Sequence, residues 1–164
     1  MKRINLVLAV LFVAMSSFAQ EIKISRKKVN VEAFDRIRID ASVNVVLFED
    51  NSTTDIVLEG QESSADDILV EVRKGELVVS SRHDRNYKKT TVISIPVKNI
   101  KKLEVNKDAM VVAMNVLQSN AIDLAVNSEC WMSLKLTGRL NVLKGDATGF
   151  ITYKNPERVV EIGD

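Results

Sequence analysis

The sequence predicts an all-β protein in which an irregular N-terminal β region leads into a right-handed parallel β-helix-like solenoid. Three observations predict it. From Val29 onward, short runs of alternating apolar and polar residues follow one another with turn residues between them. A corner motif recurs, first as Leu103-Glu104-Val105-Asn106-Lys107-Asp108-Ala109 and again, 21 residues on, as Leu124-Ala125-Val126-Asn127-Ser128-Glu129-Cys130. A degraded third copy, Val142-Leu143-Lys144-Gly145-Asp146-Ala147, follows. A coil this short cannot bury its own apolar face, so copies must stack on one another.

The first residues read as an address. Lys2 and Arg3 precede the apolar run 6–13 and the small-x-small pattern Ser17-Phe18-Ala19, which is how a secretory signal peptide is written. The apolar stretch 4–15 is shorter than the roughly 18 to 20 residues a spanning helix needs, so an uncleaved anchor is the weaker reading. The expected division is therefore a signal peptide at 1–19, a lead-in segment at 20–28 and a single β-solenoid domain at 29–164. Export to the periplasm or cell surface follows, without stable membrane insertion. The lone cysteine, Cys130, lies far from the cleavage site and has no partner for a disulfide within the chain. Stability must come from packing, for which about 145 residues suffice.

Each element has a local reason. Residues 20–28 alternate Ile22 and Ile24 with polar residues, as either a first strand or a loosely held lead-in. From Phe34, the residues Ile37, Ile39, Ala41, Val43, Val45 and Leu47 share one face, with a bend expected at Asp40-Ala41-Ser42. Ile56 and Leu58 resume a strand after the turn cluster 49–52. Ser63 or Ser64 is placed to cap one helical turn through Asp66 and Asp67. Ile68, Val70 and Val72 alternate, Lys74-Gly75 turns, and Leu77 and Val79 alternate back as a hairpin. The polar stretch 80–89 reads as a solvated loop or hairpin tip, and Pro96 is expected to close the strand that starts near Val92. Past Pro96 the pattern changes from hairpins to coils, whose aligned asparagines can form a hydrogen-bonded ladder.

Charge excludes one broad class of function. Cleavage would remove two of the 23 Lys and Arg and none of the 22 Asp and Glu, leaving the chain close to neutral. A nucleic-acid binder needs a strong basic field, so no nucleic-acid partner is expected. The densest basic stretch, Arg82, Arg85, Lys88 and Lys89, is interrupted by Asp84. His83, the one histidine, sits with Ser80, Ser81 and Asp84 in a single loop, whereas triad members converge from separate elements. No zinc, phosphate-loop or calcium-loop spacing is present, and no cofactor is expected. Cys130 reads as a small buried hydrophobe. The surface worth following is the corner edge, where Asp108, Glu129 and Asp146 stand near Trp131. A neutralised solvent edge is the plainer reading of those acids and a metal or sugar site the sharper one. Trp131 is out of phase with Cys130 and Met132, which puts it either on the outer face or under a loop.

These residues carry a resemblance. Phe34-Asp35-Arg36-Ile37-Arg38-Ile39 with Val43-Asn44-Val45, the central Val70-Glu71-Val72-Arg73-Lys74-Gly75-Glu76-Leu77-Val78-Val79, the strand into Ile95-Pro96 and the stacked corners together resemble the putative auto-transporter adhesin head GIN domain family. It is common in exported proteins of Bacteroidetes-type bacteria. The resemblance spans nearly the whole chain from Val29. Its members usually carry Ser-Gly-Ser-like corners, where this chain has Asn106-Lys107-Asp108, Asn127-Ser128-Glu129 and Lys144-Gly145-Asp146. The resemblance implies an adhesin-like, non-enzymatic role and supplies no catalytic residues. The expectation is a binding or structural domain at the cell envelope, with a protein or glycan partner. Its alternative is a carbohydrate-binding or carbohydrate-active protein that uses the acidic edge. An open solenoid end also makes a homo-oligomer an expected partner form.

Overall fold

The computed structural model describes residues 23–143, 149–155 and 158–162. The leader at 1–19 and the third corner, with Asp146, lie outside the described residues. Period-two alternation produces strands wherever one face can be buried, and the bend at 40–42 divides the first long run into β2 (Arg36–Ile39) and β3 (Asn44–Glu49). Before them comes β1 (Ile24–Asn30), and after them β4 (Asp55–Gln61), helix α1 (Glu62–Asp67), β5 (Ile68–Arg73), β6 (Glu76–Ser81) and β7 (Thr91–Val97). The later strands are β8 (Lys102–Val105), β9 (Ala109–Ala113), β10 (Ala121–Val126), β11 (Cys130–Lys135), β12 (Arg139–Leu143), β13 (Gly149–Asn155) and β14 (Arg158–Ile162). No helix among the described residues is long and apolar enough to cross a membrane.

The strands form two mixed sheets. The long sheet runs β1-β4-β7-β3-β9-β11-β13-β14 and the short sheet β12-β10-β8-β2-β6-β5. From β8 to β13 successive strands alternate between sheets, and each pairs in parallel with the strand two places on. Two strands and the corner between them make one rung. The sequence places the first rung after Pro96, but β2 and β3 already form one, in the middle of the stack. Residues 36–39 pair with 102–105, and 44–47 with 110–113, at one uniform offset of 66. On their other side β2 and β3 take β6 and β7 at offsets of 40 and 48, the difference being absorbed by the loop between those strands. The N-terminal half therefore shares both sheets with the C-terminal rungs.

The core is a set of apolar columns between the sheets. Ile37, Leu77, Leu103 and Leu124 lie in register along the short sheet, and Val45, Ile93, Val111 and Met132 along the long one, all buried. At about 25 cal/mol per Å² of apolar surface removed from water, such columns dominate the stabilisation. The turn between β5 and β6 has positive φ at both Lys74 (52°) and Gly75 (74°), matching the right-handed twist of a tight hairpin. Pro96 lies inside β7, beyond Ser94, the last residue on that side to pair with β4, so its missing N–H leaves no β4 carbonyl unanswered.

Helix α1 occurs where Ser63 and Ser64 suggest it, but neither caps it. Its N-cap is Gln61, without a side-chain bond. The Glu62 N–H instead donates to the Lys23 carbonyl of the segment leading into β1, at 2.9 Å. Ion pairs Lys23–Glu62 (2.9 Å) and Lys27–Asp66 (3.8 Å) run along the same contact. Ala65 and Ile68 are buried beneath.

Leu124→Ala is expected to lower the free energy of unfolding by about 2 to 5 kcal/mol, because its neighbours are held in register and cannot collapse onto the cavity. Gly60→Ala is expected to be destabilising as well, since a Cβ there would overlap the Thr90 carbonyl. Urea titration followed by circular dichroism checks both, and unchanged midpoints would contradict the packing described.

Candidate binding face and corner edge

The corners are joined by side chains. Asn127 Nδ2 donates to Asn106 Oδ1 at 2.7 Å, and Asn106 Nδ2 donates to Asp40 Oδ1 at 2.8 Å. The ladder expected of the asparagines therefore exists and continues into the first rung through an aspartate. Asp108 and Glu129 hold equivalent places on adjacent rungs, because Ala109 and Cys130 are register partners. Asp108 is neutralised, though by Lys88 Nζ at 2.5 Å rather than by its sequence neighbour Lys107. Lys107 turns to Asp84 at 3.2 Å. Glu129 is exposed and has no ion pair among the described residues. No group of three or more His, Cys, Asp or Glu able to hold a metal occurs among the described residues.

Lys88 reaches the edge because the loop 82–90 is not a free tip. Tyr87 is buried, its N–H donates to the Ser42 carbonyl at 2.7 Å, and its hydroxyl lies 3.3 Å from Asp67 Oδ2. Burial, with Asp67 beside it, raises the Tyr87 pKa above the ordinary phenol value. The sequence offers an apolar ring in a polar run as the one signal of this anchoring. His83 Nδ1 lies 3.2 Å from Asp67 Oδ1 on the exposed side of the loop. Cys130 is buried, and desolvation, with Asp108 adding to it, raises its thiol pKa.

The outer surfaces of the two sheets differ in kind. On the short sheet, Glu76, Arg36, Lys102, Asp123 and Asn141 lie on one row. Arg38 there pairs with Asp40 (3.0 Å) and Glu76 (3.4 Å), and Lys102 with Glu104 (2.6 Å). On the long sheet two central rows carry no charge on the outer face, and the first charge met along β11 is Lys135 at its end. Val92, Asn44, Met110 and Trp131 form one row, and Ser94, Val46, Val112 and Ser133 the next. Trp131 is 45% exposed, Val92 37% and Met114, at the end of β9, 67%. Trp131 thus stands on the outer face, beside Glu129 and across from Met110, while Asp108 lies at the adjoining corner. Sequence phase left Trp131 between the outer face and a place under a loop, and the uncharged field around it arises from β3 and β7, which pairing brings alongside.

Stacked two-strand rungs in two mixed sheets, one with a charged outer face and the other with two uncharged central rows, define an all-β domain. Residues 33–150 match the family model described as putative auto-transporter adhesin, head GIN domain, and the chain belongs to that family. Among solved structures it is similar to a putative adhesin from Bacteroides fragilis NCTC 9343, at 21% identity and a TM-score of 0.55, over 81% of this chain and 68% of that one. A putative adhesin from Parabacteroides merdae ATCC 43184 is similar at 16% identity and a TM-score of 0.50, over 80% of this chain and 72% of that one. A putative lipid binding protein from Parabacteroides distasonis ATCC 8503 is similar at 10% identity and a TM-score of 0.50, over 80% and 74%. At these identities the likeness carries the fold alone. No curated protein matches the chain.

The charged face has a pH signature. Glu104 is held below its ordinary value of 4.5, chiefly because Lys102 donates to it and also through Asn106, against a partial desolvation cost. A lowered folded pKa means that this contribution is complete above the unfolded value and is lost as pH falls through the folded one. Glu104→Gln is therefore expected to weaken the loss of stability below about pH 4.5. Thermal melts across the acid range check it, and identical acid limbs would contradict the assignment. Asn106→Ala is expected to cost about 1 kcal/mol for each ladder bond removed, read at neutral pH.

Proposed function

We propose that the chain is a non-enzymatic, adhesin-like binding domain of the cell envelope, and that it docks a protein partner through the uncharged outer face of the long sheet. The observation that carries this reading is the contrast between the two faces. Ion pairs keep the short sheet's surface solvated, while the long sheet offers Trp131, Met110, Val112 and Val92 in two rows without a charge, with Met114 beyond them beside Lys135. Contiguous apolar surface of this sort is unusual on a protein that binds nothing, and Trp and Met are enriched where proteins meet. We read the stack as a right-handed parallel β-helix-like solenoid that serves as a rigid mount for that face. Export through the leader at 1–19 to the periplasm or cell surface agrees with membership in an adhesin family.

A second reading is a carbohydrate-binding surface. It draws support from Trp131, which is exposed two residues after Glu129, with Asp108 one rung away. In this reading the ring stacks on a sugar face, and the acids, with Asp146, accept from its hydroxyls.

Trp131→Ala is expected to weaken capture of envelope proteins by the immobilised chain by about 30-fold, the size of an interface hot spot, with an unchanged melting temperature. The triple variant Asp108→Asn, Glu129→Gln, Asp146→Asn is expected to leave that capture intact. If instead the triple variant abolishes binding on a glycan array, the carbohydrate reading stands and the protein-docking reading falls. Protease accessibility in intact cells locates the face: cleavage from outside fits an adhesin, and release only on opening the outer membrane overturns it.

A further inference from the structure

The two ends of the stack begin alike and finish differently. At each end the long sheet runs one strand past the short sheet: β1 lies beyond β4, which is opposite β5, and β14 lies beyond β13, which shares the last rung with β12. Each overhang leaves a recess beside the last strand of the short sheet. At the first end α1 fills it, with Ala65 buried and with ion pairs from Lys23 and Lys27 binding the helix to the β1 side.

At the other end no described element takes that part. Val142 is in register with Leu124 and so belongs to the inward column of Ile37, Leu77 and Leu103, each exposed by 1% or less. Val142 is nonetheless 43% exposed, and Leu143 46%. The main chain is open as well. The Arg139 N–H donates to the Asn120 carbonyl, and alternate residues of a parallel strand face alternate neighbours. The N–H and C=O groups of Leu140 and Val142 therefore point away from β10, to the side on which no described strand pairs. The strand carries neither proline nor lysine to guard that edge, and its one charge, Arg139, stands at its start.

We propose that this recess receives β14 from a second copy of the chain, which takes the first copy's β14 in return. A two-fold axis along the strand direction exchanges long and short sheets, so each overhang enters the other's recess. Because β14 runs antiparallel to β13, and the two sheets of a rung run in opposite directions, the incoming β14 lies parallel to β12 and continues its ladder. The step is self-complementary, and a two-fold contact closes on itself, which makes a dimer rather than a fibre. The dimer points its two uncharged faces in opposite directions. The contact shares no residue with the Trp131 face, so this inference and the proposed docking reading fail separately.

Light scattering coupled to size exclusion over a wide dilution series, with amide hydrogen exchange on the same samples, tests it in the full chain. The expected result is a mass twice that of one chain, falling to that of one chain on dilution. Exchange at the Leu140 and Val142 amides should be slower by about tenfold or more in the dimer. Val142→Pro removes an edge donor without touching the β10 ladder, and Val142→Lys places a charge in the recess. Each is expected to give a single-chain mass with an unchanged circular dichroism spectrum. A single-chain mass for the wild type at every concentration overturns the proposal. So does a doubled mass that both variants retain with those amides unprotected, or growth into open-ended polymers. If neither variant folds, the wild-type amides decide alone.

Discussion

The register between β2–β3 and β8–β9 is the constraint on which the rest of the architecture depends. It joins residues 66 apart and is clamped at three points along the rung: Lys101 on Asp35 at 2.7 Å, Asn106 on Asp40 at 2.8 Å, and Asn115 on the backbone of Glu49. Because side chains alternate across a strand, a slip by one residue would turn every inward Ile, Leu and Val outward. The clamps are polar and the columns apolar, and both favour the same alignment. The outer surfaces follow from it. Asn44, Met110 and Trp131 share a row only because the offsets are what they are.

Much of this architecture was legible in the sequence, in proportion to how local its cause is. The bend at 40–42, the β5–β6 hairpin and the 21-residue corner repeat are written in neighbouring residues, and the structure has them where they were expected. The order of the rungs was not legible in the same way. Ile37-Arg38-Ile39-Asp40 is a copy of Leu103-Glu104-Val105-Asn106, but the copies are separated by a hairpin, a helix and a long loop, and the identity of the asparagine is lost to aspartate. A search for repeats at a short period passes over a copy at this distance. Solvent exposure of the loop 82–90 was overestimated for a related reason: its polar composition describes its outer side, while one residue, Tyr87, decides where it rests.

For the candidate surface, phase left Trp131 either on the outer face or under a loop, and neighbouring lysines and a serine suggested that the acidic edge would be neutralised. Which cation neutralises Asp108 depended on the folded loop, since Lys88 is 20 residues away and Lys107 adjacent. The uncharged face could not be read from any single strand. Each strand of the long sheet contributes two or three ordinary apolar or hydroxyl residues, and only their pairing makes a field.

The interleaved rung order has a kinetic side. β2 and β3 are made early and occupy the centre of the stack, yet β2 gains its second neighbour only with β8 and β3 only with β9. Long-range parallel pairing is slow because loop closure is paid for before contacts reward it. During that interval this central rung has bare edges of the type that recruit foreign strands. Folding of this chain is thus gated by the arrival of its third rung rather than nucleated and propagated from one end, and a chain stalled before Val105 would be the form most in need of a holdase.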